Sequence, residues 1–327
     1  MTAGQRYEFD LKGWLHLPGA LTPAELEDGR AAAYAATSGE PRPRAGPGSE
    51  GPRFDPRLGQ LAFNQVAWPV VMELTRGQPM VRLGFGSVIH NAPSSGGGGM
   101  LHSNREGQRS STVGSPSMAR YEVGRDGTIF CQDFVVFCYL EDVNAGDGGV
   151  CLISASHKAR FERPPTLFGT FGTGNHANDP PGSGVLPLDF KSAPIGSGDD
   201  EARNRGPPYT ENPTPRAGDI IIMSECTTHG VIPWRGAGHR YVVKMNFKPQ
   251  HTAHPEDALK PEEIIRLPPE LRELRSYAPP GHVKAIAAAA GLAVGETVIL
   301  LHPPLPLLGV SIGTERKRQQ NDSLANG

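Results

Sequence analysis

The chain lacks the features that mark several large protein classes. Its four cysteines, Cys131, Cys138, Cys151 and Cys226, include no CxxC pair, so a zinc ribbon or a thioredoxin-like site is unsupported. They lie in or beside apolar runs and are expected to be reduced core residues. The N-terminal MTAGQRYEFDLKG has no apolar signal core, and no stretch reaches the roughly 18 apolar residues of a membrane span. A reducing cytoplasm is the expected location. There is no excess of positive charge: the net charge is -2 and the pI about 6.6. A nucleic-acid or anionic-membrane surface would need a basic patch, so neither partner is expected. No GxSxG, dinucleotide fingerprint or Gly-Lys-Ser/Thr phosphate loop occurs, and the glycines of SSGGGG at 94–99 are read as a flexible loop.

Glycine (41) and proline (32) are abundant among the 327 residues. Many turns and long loops follow, which favours β-rich architecture over a helical bundle. The length suits one β-sandwich or barrel domain enlarged by loops. Residues 7–21 read as a short strand ending in a Pro-Gly turn. A helix then begins at Thr22 as N-cap, with Pro23 at its first position and Glu25 completing a capping box. Residues 38–58 read as a surface insert, and 64–76 as a second helix in which Pro69 marks a kink or the true start.

Strands are expected over 79–90, around 119–123, over 128–140 as the central buried strand, and over 218–225 and 239–249. NAGDGG at 144–149 reads as a tight turn from which VCLIS (150–154) pairs back on the preceding strand. Residues 160–217 form a long irregular excursion. Helices are expected near 261–275 and 281–291, with a disordered tail, and the apolar stretch 298–310 is read as packing on the core or, as the alternative, on a second subunit. The chain is thus read as a single domain, with residues 251–327 as a C-terminal extension.

A few residues carry a pattern with chemical meaning. A facial iron site needs two imidazoles and usually a carboxylate on one side of the metal, the other side staying open. Two ligands spaced two apart on a strand face the same way. His102 opens the triplet H-S-N, with Asn104 where an aspartate is expected. His229 follows the apolar strand GDIIIMSECTTH, and Arg240 lies eleven residues further on, at the head of YVVKMNF. A buried arginine there needs an anionic partner, and its fork fits a carboxylate. Asn104, Glu106 and Asp133 are the alternatives for the third ligand, with no third ligand as another. Asp142 and Asp147 are expected to shape a turn, and His157 with Lys158 to be structural or to face the site mouth.

VVFCYLEDVNAGDGGVCLISASHK (135–158) resembles the signature of the phytanoyl-CoA dioxygenase family, a strand ending in L-x-D-V, a glycine-rich turn and a strand running into SHK. RAGDIIIMSECTTHGVIPW (216–234) is similar to that family's second signature. The His229-to-Arg240 spacing and the opening KGWLHLPGALTPAEL are similar too, so the resemblance covers roughly 7–250. It implies a mainly β fold with flanking helices, a double-stranded β-helix of jelly-roll or cupin type. It also implies a dioxygenase using Fe(II) and 2-oxoglutarate with O2 to hydroxylate a small molecule, with His102, Asn104 and His229 at the metal and Arg240 on 2-oxoglutarate. Two departures stand out: H-S-N replaces H-x-D, and Cys138 stands where the family's central strand has tryptophan. An amide oxygen is a weaker iron ligand than a carboxylate and leaves the site one negative charge short. The alternative is therefore a ligand-binding relative with a degraded metal site. A halogenase-like site needs a residue smaller than Asn104 to admit a halide. Neither the substrate nor the oligomeric state is legible in the sequence.

Overall fold

The computed structural model describes residues 1–37, 56–77, 79–81, 87–95, 99–103, 119–161 and 210–249. Asn104 and Glu106, most of the 38–58 insert, most of the 160–217 excursion and the whole C-terminal extension lie outside the described residues.

The chain opens with a helix, α1 (Ala3–Lys12), where a strand was expected from residue 7. Thr2 and Gln5 form a reciprocal capping box, each side chain accepting from the other's backbone N–H. Gly13 ends the helix in the left-handed region, its N–H donating to the Phe9 carbonyl. The expected strand survives as β1 (Trp14–Leu17). α2 (Pro23–Thr37) starts as its sequence predicts, with Glu25 N–H on Thr22 Oγ1 and Thr22 N–H on Glu25 Oε2. α3 (Pro56–Gln60) occupies the end of the expected insert. α4 (Trp68–Leu74) is shorter than expected. Asn64 Oδ1 accepts from the N–H groups of Val66 and Ala67, and Pro69 marks the true start of the helix rather than a kink.

The strands are β2 (Pro79–Val81), β3 (Ser87–Asn91), β4 (Gly99–His102), β5 (Tyr121–Val123), β6 (Ile129–Cys131), β7 (Phe134–Tyr139), β8 (Gly149–Ile153), β9 (Thr210–Glu211), β10 (Ile220–Ser224), β11 (Thr228–Ile232) and β12 (Arg240–Pro249). One sheet runs β1-β10-β7-β12, with β2 and β3 both pairing with β12. The other runs β4-β11-β8-β9, and every pairing is antiparallel. The architecture is the expected one, two facing antiparallel sheets of a double-stranded β-helix with helices on one side.

Alternation along the central strands assigns the faces. Phe134, Val136 and Cys138 of β7, Ile220 and Ile222 of β10, and Tyr241, Val243, Met245 and Phe247 of β12 pack under the helices with Phe9, Ala32, Val70 and Leu74. Val135, Phe137, Tyr139, Ile221, Met223 and Val242 point the other way, into a second cluster with Leu152 and Trp234. Burial on both faces explains why these strands are continuously apolar rather than alternating. All four cysteines are buried thiols outside any disulfide.

Two strand expectations are corrected. The run 128–140 is not one strand. It breaks at Gln132 and Asp133, where Gln132 N–H turns to the Arg120 carbonyl, and β6 pairs with β5 alone. Nor does β8 fold back on β7. Both edges of β7 are taken by β10 and β12, so β8 crosses to the other sheet and pairs with β11 and β9. The turn's glycines make that crossing: Gly146, Gly148 and Gly149 have φ of +90°, +96° and +92°. Asp142 and Asp147 shape this region as expected, Asp147 accepting from Asn144 N–H and Asp142 from Ala217 N–H.

A Cβ on Gly148 would lie 2.2 Å from the Pro233 carbonyl oxygen, whereas one on Gly146 meets nothing within 4 Å. Gly146→Ala is therefore expected to cost about 1–2 kcal/mol, the left-handed penalty alone. Gly148→Ala should cost at least about 2 kcal/mol more, because the clash is with backbone. Urea unfolding of the two variants side by side checks the difference.

Candidate metal centre and the buried arginine

β4 and β11 pair so that His102 stands directly opposite His229. Opposed residues project from the same face, and the two rings sit 4.2 Å apart between centroids. Between this pair and the next, Val231 with Gly99, the β4 side holds one extra residue, a β-bulge beside the site. The two histidines expected at the metal are thus brought together, with His102 at the end of β4.

His229 is buried. Its Nδ1 lies 2.7 Å from the Thr227 carbonyl oxygen, which can only accept, so Nδ1 carries the proton. Nε2 is left with a lone pair, the form that binds metal, with the ring held by a backbone carbonyl as metal-ligating histidines usually are. Burial, reinforced by neighbouring His102, pushes the His229 pKa down to about 3.

The third member of the cluster was missed in the sequence. Glu225, in the turn between β10 and β11, is buried, and its Oε2 lies 3.7 Å from His229 Nε2. One ligand atom from each of His102, Glu225 and His229 falls within 4.8 Å of the others, the one such group among the described residues. Ligand bonds to nitrogen and oxygen run to roughly 2.0–2.2 Å, so one divalent cation can bridge the three after slight closure. The donor set, two imidazoles and a carboxylate, suits Fe(II). Asn246 on β12 donates from Nδ2 to Glu225 Oε1 at 2.9 Å, and Glu225 N–H donates to the Asp133 carbonyl. Asp133, an expected alternative ligand, is buried but its carboxylate is not in the cluster; its backbone supports Glu225 instead. A glutamate four residues before a histidine, at the end of an apolar strand, was the signal available.

Arg240 heads β12 and is buried. Its Nε donates to Asn91 Oδ1 at 3.1 Å, and its Cζ lies 5.3 Å from the Trp234 ring centroid. A Cβ on Gly149 would come within 2.7 Å of its Nη1, so glycine makes room for the guanidinium. No carboxylate among the described residues pairs with it, and burial lowers its pKa. A buried, desolvated cation of this kind calls for an anionic partner. His157 is structural, buried edge-on against Tyr121 and over Gly13. His90 stacks on Tyr241 and meets His239 at 2.9 Å.

No protein-family model matches the chain, and no curated protein matches it significantly. Solved structures do. HygX from Streptomyces hygroscopicus with nickel and 2-oxoglutarate bound is 21% identical with a TM-score of 0.52, covering 76% of this chain and 87% of that one. The iron-bound form is 19% identical with a TM-score of 0.53 over the same shares. The form with nickel, 2-oxoglutarate and hygromycin B is 19% identical with a TM-score of 0.51, covering 76% of this chain and 88% of that one. At this identity the likeness establishes the shared double-stranded β-helix fold.

The depressed pKa of His229 has a consequence for the metal-free protein. Above its ordinary value of 6.5 the ring is neutral whether the chain is folded or not. Below that, the unfolded chain takes up a proton that the folded site refuses, so stability falls as pH drops from 6.5 toward about 3. Between pH 7 and pH 5 the expected loss from this group is about 2 kcal/mol. Urea midpoints at the two pH values should differ by that much less in His229→Gln.

Proposed function

We propose that the protein is a non-haem oxygenase that uses Fe(II), 2-oxoglutarate and O2 to hydroxylate a small-molecule substrate, with residues 7–250 as its core. The observation that carries this reading is the coexistence of two structures. One is the cluster of His102, His229 and Glu225. The other is the buried Arg240, which no described carboxylate neutralises. A metal site alone fits many enzymes; a metal site with a buried guanidinium on the facing strand fits a chelating diacid.

In this reading His102 and His229 hold the iron, and Arg240 takes the distal carboxylate of 2-oxoglutarate in a two-pronged contact. When bound, iron would activate O2 to decarboxylate 2-oxoglutarate oxidatively to succinate and CO2, one oxygen atom entering succinate and the other a substrate C–H bond. The chain's own residues do the positioning. Asn91 and the Trp234 ring fix the guanidinium, and no hydrogen bond from the described residues engages its terminal nitrogens.

HygX, which shares the fold, binds iron, nickel and 2-oxoglutarate, and this supports the same cofactors here. The resemblance to the phytanoyl-CoA dioxygenase family supports the same reaction class. The rival reading, a binding protein with a degraded metal site, rested on the missing aspartate at position 104, and a buried carboxylate beside both histidines removes that ground.

Anaerobic addition of Fe(II) and then 2-oxoglutarate to the purified protein should produce the visible metal-to-ligand charge-transfer band. Arg240→Ala should need about 10- to 100-fold more 2-oxoglutarate to reach half its intensity, the loss expected of charge-assisted hydrogen bonds. Absence of the band at saturating iron would exclude the oxygenase reading.

A further inference from the structure

We infer that the carboxylate ligand of the metal comes from Glu225, in the turn joining β10 to β11, and not from the position two residues after His102. The inference rests on the iron reading above and deepens it.

The residue two after His102 is Asn104, a neutral amide. Glu225 offers what that position lacks, a full negative charge on hard oxygen atoms, which an Fe(II) site otherwise missing its carboxylate requires. Its placement is built rather than incidental. Asn246 donates to Oε1 and so turns Oε2 toward the histidine pair. The turn itself is tied down by backbone on two sides: Glu225 N–H donates to the Asp133 carbonyl, and Ser224 N–H and the Thr227 hydroxyl both donate to the Gly13 carbonyl.

The facing atoms make the case sharper. His229 Nδ1 donates to the Thr227 carbonyl, so Nε2 is an acceptor. Glu225 Oε2 is also an acceptor, and the two lie 3.7 Å apart in a buried site. A divalent cation set between these two atoms would meet both, and His102 closes the third side.

This arrangement differs from an H-x-D motif in where the ligands originate. His102 and His229 belong to one sheet, whereas Glu225 follows β10 of the other. The metal would therefore link the two sheets directly.

The test is anaerobic Fe(II) affinity, measured by competition with a chromophoric chelator, for the full-length wild type, Glu225→Gln, Asn104→Ala and the double variant Glu225→Gln with Asn104→Asp. Far-UV circular dichroism and melting temperature report folding for each. Glu225→Gln keeps the size and the bond from Asn246, and is expected to weaken Fe(II) binding by well over about 100-fold, beyond the roughly 10- to 100-fold that loss of a supporting group costs. Asn104→Ala should stay within about 3-fold of wild type. The double variant should recover at least about 10-fold over Glu225→Gln, because an aspartate at 104 supplies the missing charge. Loss of iron in Asn104→Ala with retention in Glu225→Gln would overturn the inference and leave the oxygenase reading intact. Failure of the wild type to bind Fe(II) would sink both. If Glu225→Gln does not fold, Glu225→Asp takes its place: Fe(II) binding weakened by at least about 10-fold while Asn104→Ala is unaffected upholds Glu225, and unchanged binding refutes it.

Discussion

The pairing of β4 with β11 is the constraint on which the rest depends. It sets two histidines opposite each other that are far apart in sequence, and it does so with backbone hydrogen bonds rather than with any interaction of the imidazoles themselves. Everything else at the site is arranged around that fixed pair. β11 is held on its other side by β8 over five consecutive positions, so His229 sits in the interior of its sheet. The neighbouring turn brings a carboxylate, and the facing strand β12 brings an amide to steady it. A metal site assembled this way inherits the rigidity of the sheets, which suits chemistry that requires ligands held to within a fraction of an ångström.

β12 organises the other half. Its odd-numbered residues are apolar and pack under the helices, while its even-numbered residues Arg240, Lys244 and Asn246 face the second sheet. One strand therefore supplies core on one side and function on the other, and the period of two keeps the assignments from mixing. The electrostatics are complementary along the strand. Arg240 stands at one end of the strand, and Asn246, six residues on, holds the anionic Glu225.

Much of this was legible in the sequence. The apolar runs gave β7, β10 and β12, and the spacing of His102, His229 and Arg240 matched a recognisable order before any geometry was known. What failed did so for physical reasons. α1 was hidden because it buries a single residue, Phe9, and its second half was absorbed into the strand expected over 7–21. The glycine turn at 144–149 looked like a hairpin, since local sequence carries no information that both edges of β7 are already taken. Glu225 was passed over because the expected carboxylate belongs beside the first histidine, and its proximity to His102 exists only through the β4–β11 pairing. Asn104 and Glu106, which the sequence offered for that role, lie outside the described residues.

Gly13 joins α1 to β1, and its carbonyl accepts from both Ser224 and Thr227, the residues that bracket the turn carrying Glu225. A side chain there would strike His157 and Thr227 within 2.5 Å. The first helix thus ends as a footing beneath the turn that carries Glu225. A change in how that helix seats on the sheet would then shift the height of the carboxylate above the two histidines, acting on the cluster from a distant part of the chain.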